Sequence, residues 1–189
     1  MKSLILLLFI GLNTATPESY YVETGGHRIG DLNAEILHQE DKTIYQVSSK
    51  VEAHIFGKIS VHYTLRSEFQ GGYLRKSQVK VYNGDELHNS CSVVWKGDHY
   101  DIITDGEKSR INKKITSSTA QMYFKKPSAQ NEIFSEFDGV FKHLEQEGSL
   151  FTVSKKDGSH KTLYRYTGDS MTETSSHHAM LTFYVRKGN

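Results

Sequence analysis

The sequence predicts an all-β protein: an antiparallel meander forming a barrel or curved half-barrel of about ten to thirteen strands. Three observations predict it. Glycine is frequent, at 15 residues, while proline occurs only at positions 17 and 127. Turn-forming residues recur about every 8–15 residues, from Gly25-Gly26 through Gln70-Gly71-Gly72 and Asn83-Gly84-Asp85 to Thr167-Gly168-Asp169. Between the turns, Tyr, Phe, Val, Ile and Thr predominate, the residue types that suit a pleated, half-buried surface.

The chain begins MKSLILLLFIGLNTATPESYY. One lysine, an apolar run over Leu4–Leu12 and then small polar residues reproduce the three-part layout of a secretory signal. The apolar run is shorter than the roughly 20 residues a membrane-spanning helix needs. Cleavage is expected near Ala15 or Thr16. The domain reading is therefore a signal peptide at 1–16 and a single all-β domain at 17–189, with no membrane-spanning segment in the mature chain. Removing the signal takes away Lys2 and leaves 22 Lys+Arg against 22 Asp+Glu. That balance argues against a nucleic-acid binder, which usually shows a basic excess or stripe. The lone Cys91 rules out an internal disulfide.

The strand register follows from parity. In KTIYQVSSKVEAHIF the odd positions Tyr45, Val47, Val51, Ala53 and Ile55 are apolar, and in ISVHYTLRSEF so are Ile59, Val61, Tyr63, Leu65 and Phe69. Side chains alternate faces along a strand, so odd must pair with odd. Three-residue reversals at Phe56-Gly57-Lys58, Gln70-Gly71-Gly72 and Asn83-Gly84-Asp85 would do this. They predict the inner rows Tyr45–Phe69–Tyr73–Trp95, Val47–Ser67–Arg75–Val93, Ser49–Leu65–Ser77–Cys91, Val51–Tyr63–Val79–Asn89 and Ala53–Val61–Val81–Leu87. No helix is expected before residue 112. Residues 116–145 are less regular and are expected to hold a short helix or a long loop.

The predicted wall is the first candidate site. Tyr45, Phe69, Tyr73 and Trp95 form an aromatic rim, and Ser77, Cys91 and Arg75 are too small or too polar for an ordinary tight core. Such a wall suits a ligand with an apolar body and an anionic head held by Arg75. A packed interior, or an Arg75 that reaches outward, is the competing reading. On the outer face the row Glu52–His62–Lys80–His88 brings together two histidines and a carboxylate. Lys80 between the histidines would repel a cation, so the row reads as a solvated face. His177 and His178 are adjacent and point to opposite faces of a strand. No metal site and no cofactor are expected. No nucleophile elbow, phosphate loop or dinucleotide fingerprint occurs, Cys91 reads as a small buried hydrophobe, and a non-catalytic protein is expected.

Five segments carry a resemblance: YYVETGGHRIGDLNAEI, YTLRSEFQGGYL, VYNGDEL, STAQMYFKKPSAQNEIFSEFDG and YRYTGDSM. Together they resemble an uncharacterised family of small exported bacterial β-proteins, a domain of unknown function. The most specific parts are Gly26–Gly30 and Tyr123–Glu136. The resemblance implies a curved sheet or open barrel in the periplasm or cell envelope, and it carries no catalytic residue. Physically, Gly30 inside a strand predicts a bulge or close backbone approach. Pro127 closes the Tyr123 strand or turn. Ile133, Phe134 and Phe137 are expected to plug one barrel mouth. Two functions remain side by side: an envelope protein binding a lipid-like or amphiphilic small molecule inside the sheet, or an interaction module with an envelope protein partner.

Overall fold

The computed structural model describes residues 14–54, 58–128, 130–178 and 181–188. Among them are fourteen strands: β1 Thr14–Thr24, β2 His27–Gln39, β3 Lys42–His54, β4 Lys58–Gln70, β5 Tyr73–Asn83, β6 Glu86–Trp95, β7 Tyr100–Thr104, β8 Glu107–Ile111, β9 Glu132–Ser135, β10 Val140–Glu147, β11 Leu150–Ser154, β12 Thr162–Thr167, β13 Ser170–His178 and β14 Leu181–Lys187. One short 3-10 helix, Thr119–Tyr123, interrupts them. All fourteen strands belong to one antiparallel sheet in the order β8-β7-β6-β5-β4-β3-β2-β1-β14-β13-β12-β11-β10-β9. The fold is thus the expected meander, one strand longer than the upper bound read from the turns. The strands do not close into a continuous ladder. Instead β8 and β9, joined by residues 112–131, form the two edges. Residues 1–13, the body of the expected export signal, lie outside the described residues. Thr14–Thr16, expected at its boundary, begin β1 and pair with Ile36–His38 of β2.

Odd does pair with odd, but by a different device from the expected three-residue reversals. Gly71-Gly72 and Gly84-Asp85 are two-residue turns, closed by the pairs Gln70↔Tyr73 and Asn83↔Glu86. A two-residue turn alone would set odd residues against even. Three residues into the returning strand, one residue is left unpaired, Arg75 in one hairpin and His88 in the other. The bulge adds one position and restores the parity. Ile29 after Gly25-Gly26 and Thr172 after Gly168-Asp169 repeat the arrangement. Both glycines of Gly71-Gly72 have positive φ, 63° and 82°, which twists the hairpin in the sense the strands require. The third expected reversal, at Phe56-Gly57-Lys58, falls largely outside the described residues. The strands beside it pair His54 with Lys58.

The rows consequently slide by two residues from those predicted. They read Tyr45–Ser67–Ser77–Val93–Ile102, Val47–Leu65–Val79–Cys91–Thr104 and Ser49–Tyr63–Val81–Asn89. Val51, Tyr63 and Val79 share the concave face, as parity requires; Val79 is in the buried core, and Val51 and Tyr63 pack against it half-buried. Leu87, predicted inside, lies beyond the His88 bulge and is 50% exposed. The outer row Glu52–His62–Lys80–His88 is not assembled. Glu52 faces Ser60, His62 stacks on Tyr82, and Lys80 faces Thr64.

A curved sheet must bury its concave face against something. Here the chain itself supplies it. Residues 112–131 cross the inside of the curve, burying Ile115, Ala120 and Met122 completely. Three tyrosines hold this plug. The Tyr100 hydroxyl donates to the Leu74 carbonyl at 2.7 Å and accepts from the Ile115 N–H at 3.2 Å, while the Leu74 N–H donates to the Ile115 carbonyl at 2.8 Å. Tyr166 and Tyr20 donate to the Met122 and Tyr123 carbonyls at 2.7 and 2.8 Å. Tyr123 closes a 3-10 helix rather than a strand. Ile133 and Phe134 are fully buried as expected of plug residues, but Phe137 is 43% exposed. The turn after β9 points Glu136 inward instead. That turn also reaches the far side of the curve: a Cβ on Gly139 would lie 2.8 Å from both Ile102 Cγ2 and Thr104 Oγ1, and 3.2 Å from Cys91 Sγ.

Gly30 shows the predicted close approach. A Cβ there would overlap the Lys50 carbonyl oxygen and lie 2.8 Å from Val51 Cα. Gly30→Ala is expected to destabilise the protein by about 2 kcal/mol or more through strand displacement. Urea unfolding followed by tryptophan fluorescence checks it, and an unchanged midpoint would contradict the described strand spacing.

Candidate functional site

The seven residues of the predicted wall do not gather around one cavity. Tyr45 and Phe69 are buried edge to face at 5.6 Å, and Tyr45 also packs on Phe124 of the plug at 5.7 Å. Ser77 and Cys91 are buried on the concave face, Cys91 under the Gly139 backbone. Tyr73 and Trp95 are half-buried and meet at 5.6 Å. Arg75 leaves the inner row because it is the bulged residue. Its Nε–H donates to the Gln70 carbonyl at 3.2 Å, and its guanidinium lies 4.0 Å from the Tyr73 ring centre. An anionic head group inside the sheet therefore loses the cation proposed for it.

A different part of the concave face remains open. Val51, Val61, Tyr63 and Val81 on β3, β4 and β5, with Phe183 and Val185 on β14, are only half-buried although all point inward. They lie toward the end of the sheet that carries the β1–β2, β3–β4, β5–β6 and β13–β14 turns. The plug occupies the opposite end, where Lys126 pairs with Asp169 at the β12–β13 turn. Gly30 and Val22 connect Val51 to Val185 along one row.

Tyr20, Tyr164, Tyr166 and Glu136 are buried inside the curve, and Tyr63 and Tyr123 are half-buried. Burial pushes the Tyr123 phenol up to about 12, with the nearby Glu136 adding to it. Burial raises Tyr63 well above the ordinary range, assisted by Tyr123, Glu136, Tyr164 and Asp138. It raises Tyr164, Tyr166 and Tyr20 likewise. Tyr63 and Tyr123 each keep part of their surface accessible. Depressions of about 290 and 300 Å3 elsewhere have less to offer a ligand: Arg66 in the first is already bonded to Gln46 and Glu68, and Lys126 in the second to Asp169.

Glu136 lies inside the curve, between β4 and the plug. It is fully buried. Its Oε1 accepts from the Ser67 hydroxyl of β4 at 3.0 Å, and its Oε2 from the Thr119 hydroxyl at 2.7 Å and the Ala120 N–H at 3.3 Å. Burial pushes the carboxyl above its usual range, against the opposing effect of the Ser118, Thr119 and Ser67 hydroxyls. Asp138, two residues on, pairs with Lys142 at 2.7 Å. Among the described residues no three His, Cys, Asp or Glu side chains form a metal-holding group.

The sequence matches, over residues 20–187, the domain of unknown function DUF6134. The chain belongs to the DUF6134 family. No curated protein matches it. The DUF6134 chain is similar in structure to a β-barrel-like protein of domain of unknown function DUF1849 from Brucella abortus. The TM-score is 0.57 at 8% sequence identity, covering 94% of this chain and 97% of the other. At that identity the likeness is one of fold. Within the DUF6134 chain, no helix among the described residues is long and apolar enough to cross a membrane.

Tyr123 and Glu136 bound the segment whose sequence was most specific, but nothing in the local pattern shows that both turn inward. Tyr20, Tyr164 and Tyr166 read only as strand residues.

Folding raises the Glu136 pKa, so the native state holds that proton more tightly than the unfolded chain. Its contribution to stability is complete below about pH 4.5, the ordinary value, and declines as pH rises through the folded-state value. Glu136→Gln removes this titration. The variant is expected to gain stability relative to the parent as pH rises from about 4.5 to neutrality. Parallel unfolding free energies across that range would overturn the assignment.

Proposed function

We propose that this chain is an exported, non-catalytic envelope protein that holds a small molecule with an apolar body inside its curved sheet. The observation that carries this reading is that Val51, Val61, Tyr63, Val81 and Val185 take inward register positions on the curved sheet and are only half-buried. Ligand sites are concave and mostly apolar, and these residues support that reading. Export is supported by the Lys2, Leu4–Leu12 and Thr14–Thr16 sequence of charge, apolar run and small polar exit.

A second reading, an interaction module with a protein partner, is supported by Phe137 and Val140, 43% and 46% exposed on either side of the β9–β10 turn. Exposed apolar groups of this kind mark contact surfaces when they cluster.

Native mass spectrometry of the protein purified from its own cell envelope, followed by solvent extraction, separates the two. A co-purifying small molecule that is absent from a Val81→Trp variant of unchanged fold is the expected result. A protein that carries no small molecule in either form, and retains a stoichiometric protein partner lost in Phe137→Ser, would replace the first reading by the second. Recovery of the uncleaved chain from the cytosol would overturn export.

A further inference from the structure

At the turn between β9 and β10, residues 136–139, the C-terminal strands meet the opposite wall of the curve. Gly139 has a positive φ, 68°. Its backbone packs so closely on β6 and β7 that an added Cβ would lie 3.2 Å from Cys91 Sγ and 2.8 Å from Ile102 Cγ2 and Thr104 Oγ1. Cys91 beneath it is buried. At the start of the same turn Glu136 reaches β4 and the plug, and all three of its bonded partners are neutral: the Ser67 and Thr119 hydroxyls at 3.0 and 2.7 Å and the Ala120 N–H at 3.3 Å. Among the described residues no cation pairs with its carboxyl, and Lys142 is engaged by Asp138 at 2.7 Å. The other titratable groups around Glu136 are Tyr63 of β4, Cys91 of β6, Tyr123 of the plug and Tyr164 of β12, with Asp138 two residues along. Burial raises the phenols and the thiol, so none of these groups brings a positive charge. An ionised carboxyl in this position is a buried, unpaired charge, and that is costly.

We infer that the β9–β10 turn is a pH-sensitive clasp, closed on β4, β6 and β7 while Glu136 carries its proton and released from them as that carboxyl ionises. The protonated carboxyl keeps its contacts without a buried charge, since the Ser67 and Thr119 hydroxyls accept as well as donate. The ionised carboxyl gains hydration only if the turn lifts. Residues 136–139 lie outside both strands, so the turn can lift without unpairing β9 from β10. Release uncovers Cys91. The clasp is independent of whether the sheet holds a ligand.

Cys91 is the one cysteine of the chain and reports the movement. At pH 7.5 iodoacetamide is expected to label the parent about ten-fold faster than Glu136→Gln, the effect of one pKa unit. The charge of Glu136 also raises the Cys91 thiol, so its removal alone would speed labelling, and slower labelling of the variant reports cover. Amide exchange at Gly139, whose N–H donates to the Ser135 carbonyl at 2.9 Å, gives the second readout. Corrected for intrinsic rates, its protection is expected to fall about ten-fold from pH 5 to 7.5 in the parent and to stay level in Glu136→Gln. Low urea separates release of the turn from whole-chain unfolding, because only unfolding exposes a large surface. Exchange at Gly139 is expected to be insensitive to urea. Equal labelling of parent and variant, or Gly139 exchange with the urea dependence of the β3 amides, overturns the clasp. Thr119→Val keeps the carboxyl and removes a donor from it, and serves even where Glu136→Gln does not fold. It is expected to enlarge the loss of Gly139 protection between pH 5 and 7.5, and an unchanged or smaller loss overturns the assignment to Glu136.

Discussion

The carboxyl of Glu136 ties together the three pieces on which the interior depends. Through Ser67 it holds the middle of the sheet, through Thr119 and Ala120 the 3-10 helix of the plug, and by its own backbone the turn between β9 and β10. Sheet strands stabilise one another along continuous ladders, but β8 and β9 share no ladder. Contacts across the concave side must therefore keep the curve from opening. Placing an acidic group there costs desolvation, and the hydroxyls and N–H aimed at it offset part of that cost. The tyrosines add a second set of ties. Each has an apolar ring that fills the interior; the Tyr20 and Tyr166 hydroxyls donate to plug carbonyls, and the Tyr100 hydroxyl accepts from the plug's Ile115 N–H.

The same packing explains why the interior is unevenly filled. The plug, with Tyr20, Tyr100 and Tyr166 on its carbonyls and N–H groups, occupies the end carrying the β4–β5 and β12–β13 turns. At the other end Val51, Val61, Tyr63 and Val81 point inward and are only half-buried. A side chain that is apolar, inward and only half-buried leaves hydrophobic surface in contact with water, which favours any apolar body that displaces that water. The proposed role in ligand binding grows out of this asymmetry. Fold likeness to the DUF1849 protein contributes the architecture alone.

Much of the fold was legible because strand alternation is a local property. Tyr45, Val47, Tyr63, Leu65 and Val79 share a face for reasons visible in a dozen residues of sequence. The register was legible only in parity. A two-residue turn followed by a bulge and a single three-residue turn satisfy the same parity, yet displace every row by two residues. That displacement took Arg75 out of the inner wall, put Ser77 opposite Ser67, and broke up the row of Glu52, His62, Lys80 and His88. The candidate site was less legible still. Tyr45, Phe69, Ser77 and Cys91 were rightly placed on the concave side, but Tyr45 packs on Phe124 and Cys91 lies under Gly139, both far along the chain, and no local pattern announces either contact.

By itself the sequence determined the strand-and-turn architecture, the assignment of side chains to two faces and the need for tight glycine reversals, since pleat and turn geometry act over a few neighbouring residues. Only the tertiary structure decided which inner residues are covered. Coverage depends on where residues 112–139 return across the curve, and that is settled by hydrogen bonds between residues far apart in the chain, such as Tyr20 to Tyr123 and Ser67 to Glu136.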